Sequence, residues 1–289
     1  RSEHFSVRGW MGSSSGIFWW RNKVAIAEGA VGRLFQRHYQ SLRKLGELPL
    51  IGRFLAWAAS RAVPRDSQMW MQVKSGPAEE LWLRLNPRTA PGTISGVGER
   101  LELEIVRDHL RPDMTFYDVG ANIGIFSMMA ARAVGPGGQV VAFEADPEIA
   151  DRLREHARRN SFEWVNVEQK AAWRESGTVM FERVDARVSP DRGVGHIVGS
   201  KNEHVVTLDA IALDDCSPKY RPPDFIKCDV EGAECEVLQG ARRLLEKKRP
   251  LVICEIHNES SRQFVLDEFS RLDYVCENCD ENHILALPK

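Results

Sequence analysis

The 289-residue sequence is 43% hydrophobic and 28% charged, with a formal net charge of −2. Such proportions allow a full buried core and exclude collagen-like, low-complexity or disulfide-scaffold chains. Residues 1–72 hold eleven Lys/Arg against four Asp/Glu, a balance of +7, which leaves −9 for the remainder. A basic segment ahead of an acidic body can meet anionic lipid, nucleic acid or the acidic body itself, and an ordinary solvated helix surface explains it as well. No uncharged apolar run approaches the ~18 residues that span a bilayer, and no basic–apolar–small-residue leader is laid out. The six cysteines all fall between Cys216 and Cys279, several of them in strand-like runs where a thiol serves as a small apolar side chain. A cytoplasmic protein is expected.

In chain order, residues 1–20 are Ser/Gly-rich and without period. Residues 21–45 and 50–63 carry apolar residues at helical spacing among basic ones and predict a helical pair, stopped at Pro64. That pair packs on the main domain in the plainer reading and contacts a membrane surface peripherally in the other. Residues 66–96 predict short strands broken by Gly76-Pro77 and Pro91-Gly92, and residues 99–110 an amphipathic helix. Strand-like runs then alternate with helical ones: strands at 115–120, 139–144, 164–168, 224–229 and 250–256, helices at 124–134, 147–159, 233–246 and 260–271. Runs at 177–184 and 204–208 interrupt the alternation, and Tyr274–Glu277 with His283–Leu287 predict a closing hairpin. Strand–helix alternation predicts an α/β fold, a mostly parallel sheet with helices on both faces.

The first strand-to-helix turn reads Asp118-Val119-Gly120-Ala121-Asn122-Ile123-Gly124. Ligands of open parallel sheets gather at such turns, beyond the carboxyl ends of the strands. Gly120 and Gly124 permit tight geometry and close approach, and the following helix turns free N–H groups toward the ligand. A dinucleotide site wants glycine where Asn122 stands. Asp118 would repel a pyrophosphate and attract an ammonium, which favours S-adenosylmethionine (SAM) over NAD. Glu144, at the end of the next strand, has the right type and place to accept both hydrogen bonds of a ribose diol.

Together with Phe143-Glu144-x-x-Pro147, Thr207-Leu208-Asp209, Ile226-Lys227-Cys228-Asp229-Val230-Glu231-Gly232-Ala233-Glu234, Val237-Leu238-x-Gly240, Pro250 and Glu255-x-His257, this turn resembles the FkbM family of SAM-dependent methyltransferases. The likeness covers residues 95–289; Ala145 departs from the proline usual after the second-strand acid. It implies a class I methyltransferase (Rossmann-like) sheet of seven strands, the last antiparallel in a terminal hairpin, and methyl transfer to a hydroxyl of a small metabolite, sugar or glycan, or polyketide-like acceptor. Asp118, Gly120, Asn122 and Gly124 would cradle the methionine part of SAM, Glu144 the ribose, and Ala171 would lie near the adenine. The domains expected are a basic helical amino-terminal extension, residues 1–72, and a methyltransferase domain, residues 73–289, with its core at 99–289.

Methyl transfer to a hydroxyl needs an in-line approach and a destination for the proton. Lys227, Asp229 and Glu231 alternate along one strand, and Glu255 and His257 along the next, so each set shares a side. Asp229 is the candidate to bind the acceptor hydroxyl or act as base; His257, with an unperturbed pKa near neutrality, is a second base candidate. Lys227 and Glu255 complete the catalytic set, and for Lys227 and Glu234 a salt-bridge network fixing the strand ends weighs equally. Asp229, Glu231, Glu255 and His257 also resemble an oxygen-rich divalent-metal site, which spacing alone does not establish; no metal is assigned. Cys276-x-x-Cys279 with His283 offers at most three zinc ligands, so a hairpin turn with incidental thiols is the better reading. No nucleic-acid partner is expected, in the absence of basic–aromatic alternation. The rival functions are an NAD(P)-linked Rossmann oxidoreductase, opposed by Asn122 and Asp118, and a non-catalytic SAM-binding interaction module, opposed by the acids at 229, 231 and 255.

Overall fold

The structure, a computed structural model, describes residues 67–182, 196–197, 205–217 and 219–289. The chain separates into two units, Arg1–Ala62 and Val63–Lys289. The basic helical pair and its membrane reading lie outside the described residues.

The second unit opens with strands β1 (Met69–Gln72) and β2 (Trp82–Leu85) and helices α1 (Pro91–Ser95) and α2 (Arg100–His109). There follow β3 (Thr115–Val119), α3 (Ile125–Val134), β4 (Gln139–Phe143), α4 (Pro147–Arg159) and β5 (Val165–Glu168). Next come β6 (Ala171–Ala172), β7 (Gly177–Glu182), β8 (His196–Ile197) and β9 (Val205–Ile211). The remainder is β10 (Phe225–Cys228), α5 (Glu234–Gly240), α6 (Arg242–Lys248), β11 (Leu251–Glu255), α7 (Glu259–Arg271), β12 (Tyr274–Asn278) and β13 (His283–Pro288).

One seven-stranded sheet, in the order β12-β13-β11-β10-β3-β4-β5, organises the domain. Strands β3, β4, β5, β10 and β11 pair in parallel; β13 is antiparallel to both β11 and β12. The chain winds outward from β3 through β4 and β5, then returns to β3's other side with β10. A crevice therefore opens between the carboxyl ends of β3 and β10, where the winding reverses. Every residue of β3 is buried, as a central parallel strand covered on both faces must be. Tyr117, Phe143, Ile226, Val252, Phe269 and Ile284 knit the sheet to its helices in one core. The predicted alternation is present, with the closing hairpin.

Two details differ from the sequence expectation. The helix predicted over 233–246 is two seven-residue helices that meet at Ala241. Gly240 presses against the segment after β6 there: a Cβ on it would lie 2.1 Å from the carbonyl oxygen of Trp173. The interrupting runs form a second sheet, in the order β6-β9-β7-β8, with β7 and β9 antiparallel.

Candidate functional site

The turn after β3 is built on left-handed backbone at Gly120 (φ 73°), Asn122 (φ 48°) and Gly124 (φ 82°). Gly120 has no room for a side chain, since a Cβ would lie 1.7 Å from the Asp229 carbonyl oxygen. Asn122 is not a glycine, so its conformation carries strain of about 1 kcal/mol or more. His156 of α4 holds the turn from behind. Its ring is fully buried; Nδ1 donates to the Ile123 carbonyl at 2.8 Å, and Nε2 accepts from the Arg84 N–H at 2.8 Å. Burial drives its pKa down to about 3, so the ring is neutral. Through this histidine the turn is tied to β2.

Asp118 departs from the role read for it. The sequence set its carboxylate beside a ligand's ammonium. The structure buries it completely, at the end of a strand covered on both faces, and turns it toward α3 rather than the cleft. Ser127 of α3 donates to its Oδ2 at 2.6 Å, and the Lys227 ammonium stands 3.8 Å from its Oδ1. Burial raises its pKa, opposed by Lys227 and Ser127. Among the described residues, Asp118 Oδ1, Asn122 Oδ1 and Glu234 Oε2 are buried acceptors without a hydrogen-bond donor.

Asn122, Glu144 and Ala171 line a cleft over the turn together with Gly120, Asp229, Glu231 and Glu255, Gly120 lying directly against Asp229. Glu144 accepts from the Asn122 N–H and from the Asp146 N–H, both at 2.8 Å. These bonds fix its plane and leave lone pairs on both oxygens for further donors. Burial raises its pKa to about 7 against those two N–H donors. Phe181 and Ile197 of the second sheet close the cleft beside Ala171. Gly124 lies behind, packed on Leu153, and shapes the turn without lining the cleft.

Beside the cleft acids, Lys227 of β10 donates to the Gly120 carbonyl and to Asp229 Oδ2, each at 3.1 Å. Burial works against its charge, but Asp229, Asp118 and Glu99 outweigh burial and raise its pKa. Lys227 thus joins the turn, the buried acid and the cleft acid. The strand ends at Cys228, so the alternation read from the sequence does not continue: Glu231 sits in the following turn with φ 52°. The predicted residues nevertheless converge. His257, beyond β11, points Nε2 at Glu231 (3.4 Å), Asp229 (3.8 Å) and Glu255 (3.8 Å). Its Nδ1 lies 2.9 Å from Oε1 of Glu234, which is fully buried. Burial lowers the His257 pKa, but Glu234, Glu231 and Asp229 raise it further, for a net rise.

The sequence reading missed three acids here and the place of a histidine. Glu99 and Glu102 arrive from the start of α2; Asp280 and His283 arrive on the closing hairpin, His283 having been read only as a possible zinc ligand; for Glu234 the sequence left a salt-bridge role and a functional one evenly balanced. His283 Nδ1 lies 2.9 Å from Asp280 and 3.5 Å from Glu102, and its Nε2 lies 3.4 Å from Glu255. Burial opposes its charge, yet Glu255 and Asp280 raise its pKa to about 9. Sequence separation hides this grouping, since only the antiparallel insertion of β13 beside β11 brings it about. Asp229–Glu255–His257 and Glu102–Asp280–His283 each have atoms within 4.8 Å of one another, a spacing that does not by itself make a metal centre. The cysteines, including Cys276 and Cys279, are free thiols. Among the described residues no helix is long and apolar enough to cross a membrane.

A parallel sheet closed by an inserted antiparallel strand, with a nucleoside-type cleft at its winding reversal, defines a class I methyltransferase. The sequence matches the family described as methyltransferase FkbM domain over residues 118–280. The chain belongs to that family of SAM-dependent methyltransferases. It is 30% identical over 217 residues to the hexuronic acid methyltransferase AglP of Haloferax volcanii, which covers 72% of this chain and 82% of that protein. Among solved structures, the methyltransferase FkbM of Methylobacillus flagellatus KT is similar at 16% identity and a TM-score of 0.43, over 88% of this chain and 60% of that one. Precorrin-6y C5,15-methyltransferase of Geobacter metallireducens is similar at 14% identity and a TM-score of 0.42, over 66% and 88% respectively.

Proposed function

We propose that this methyltransferase transfers the methyl group of SAM to a hydroxyl oxygen of a sugar or similar small polyhydroxyl acceptor. The observation that carries the reading is a single cleft lined by Glu144, Ala171 and Asp229. Its lining matches the two requirements of the reaction, a nucleoside grip and a polar seat for the acceptor. The sugar acid methyltransferase at 30% identity supports the acceptor class.

The residues fit the cofactor. Glu144, with both oxygens already oriented, suits a ribose diol; the donor-free Asn122 Oδ1 suits an ammonium at the turn. When bound, SAM supplies an electrophilic methyl whose C–S bond breaks, the electron pair staying on sulfur, as the acceptor oxygen attacks. Lys227 fixes the Asp229 carboxylate, which accepts the acceptor's O–H and orients its oxygen. His257 Nε2, held toward the same acids by Glu234, receives the proton. His283, flanked by three carboxylates and protonated at neutral pH, cannot serve as that base.

The test is incubation with methyl-labelled SAM and a panel of sugars and sugar acids, read by mass spectrometry, for the wild-type chain and for Asp229→Asn. Label on a sugar oxygen, lost by at least about a hundredfold in the variant, is expected. Label on nitrogen, undiminished transfer by Asp229→Asn, or SAM binding without transfer to any acceptor would refute the reading; the last result would indicate a binding module.

A further inference from the structure

A second cavity opens beside the cleft and shares Glu99, Asp229 and Glu255 with it. Its other walls include Glu102, Phe126 and Lys227, with His283 at the far side. Four carboxylates thus face two cationic side chains, and both of those are already engaged. Lys227 is held by Asp229, the Gly120 carbonyl and buried Asp118. His283 is held by Asp280, Glu102 and Glu255. Glu99 is left over: its carboxylate has no hydrogen bond or ion pair among the described residues. It occupies the N-cap position of α2 in left-handed backbone (φ 50°) and does not cap the helix with its side chain. Glu99 is an exposed residue, yet desolvation of its carboxylate by the surrounding protein pushes its pKa up, with Lys227 opposing and Asp229 adding to the rise. Four carboxylates against Lys227 and His283 leave the cavity with an excess of negative charge, which a negatively charged acceptor would meet as repulsion and a cation would relieve.

Resting on the methyltransferase reading above, we infer that this cavity is the acceptor subsite and that it takes the positively charged group of an amine-bearing hydroxyl acceptor, such as an amino sugar, with Glu99 as the principal counter-charge. The preference is opposite in charge to the hexuronic acid named for the archaeal relative.

The experiment titrates D-glucosamine, D-glucose and D-glucuronate into the full chain saturated with S-adenosylhomocysteine, with EDTA present, and reads binding by ligand-observed NMR. Glucosamine should bind roughly tenfold more tightly than glucose, with glucuronate weaker than both, and Glu99→Gln should shrink the amine preference several-fold. Equal binding of glucosamine and glucose, a preference for glucuronate, no binding of any of the three, or an unchanged preference in Glu99→Gln overturns the inference. Repeating the glucuronate titration with Mg2+ or Mn2+ in place of EDTA gives a further arm. Glucuronate binding that appears only with the ion would assign the acids to a metal and overturn it as well. Calorimetry of S-adenosylhomocysteine on the wild-type chain separates the two readings: an intact nucleoside site without an amine preference sinks the subsite alone, and absence of nucleoside binding sinks the methyltransferase cleft.

Discussion

Glu234 is fully buried and holds His257 Nδ1 at 2.9 Å, which leaves Nε2 as the ring nitrogen that faces the cleft acids. The same Glu234 oxygen accepts from the Gly232 N–H at 2.9 Å, so the carboxylate is anchored before it meets the ring. Glu234→Gln keeps the shape and removes the charge. Because Glu234 raises the His257 pKa, the variant should bring neutral imidazole in at lower pH and move the acid limb of the rate profile downward. The sign for stability is set by the same rise. A raised folded-state pKa stabilises below the unfolded value and loses its effect as pH climbs through the folded one. The variant's stability deficit should therefore be larger at pH 6 than at pH 9 in denaturant titrations. An unmoved acid limb would remove His257 from the proton path.

His156 predicts the opposite response. Its pKa is depressed to about 3 by burial, so the folded chain refuses a proton that the unfolded chain accepts below about pH 6.5. The wild type should lose stability progressively from there toward pH 3, on the order of 4 kcal/mol at the acid end from this group alone. His156→Leu strands the Ile123 carbonyl and the Arg84 N–H and should cost roughly 2–4 kcal/mol at pH 7 while flattening the acid slope. Urea titrations at several pH values read both effects, and an equally steep acid slope in the variant would contradict them.

Gly120→Ala should be among the most damaging single substitutions in the domain. It adds a methyl 1.7 Å from the Asp229 carbonyl and places a side chain at φ 73°. The turn and the acid loop must part to admit it. A loss of about 2 kcal/mol or more is expected, with SAM binding reduced beyond detection by calorimetry. Wild-type affinity in Gly120→Ala would show that the close approach of these two loops is not needed.

Glu144 must be ionised to accept two donors from a diol, and its pKa stands at about 7. SAM affinity should therefore weaken by roughly thirtyfold between pH 8 and pH 5.5. Glu144→Gln should bind SAM more weakly by about 1–3 kcal/mol and lose that pH dependence. Calorimetry at the two pH values, on both proteins, gives the comparison. A variant as pH-sensitive as the wild type would place the titrating group elsewhere.

The sheet was legible because its evidence is local. Val140–Phe143 is apolar throughout and Phe116–Val119 is apolar but for Asp118, as strands buried on both faces tend to be, and the Gly120–Gly124 turn marks where the earlier one ends. Glu144 and Asp229 were legible for the same reason, since each lies just past a strand end. The depth of Asp118 was not. Sequence gives a strand-end acid but not which layer it faces, and Ser127, which binds it from the next helix, looks like any helical serine. Glu99, Glu102, Asp280 and His283 were out of reach because the elements bearing them meet only after β13 inserts between β11 and β12. The structure itself supplies a marker that the sequence does not: Glu99, Asn122 and Glu231, three non-glycine residues in left-handed backbone, all border the cleft.

That insertion sets an order of events during synthesis. A ribosome finishes the nucleoside turn, Glu144 and Asp229 long before it reaches His283, and the slot between β11 and β12 can be filled only by a segment made after both. A nascent chain could thus carry every residue of the cofactor grip while the wall opposite Glu102 is still missing. Competence for the acceptor would arrive late, in one step, when the final strand zips into place.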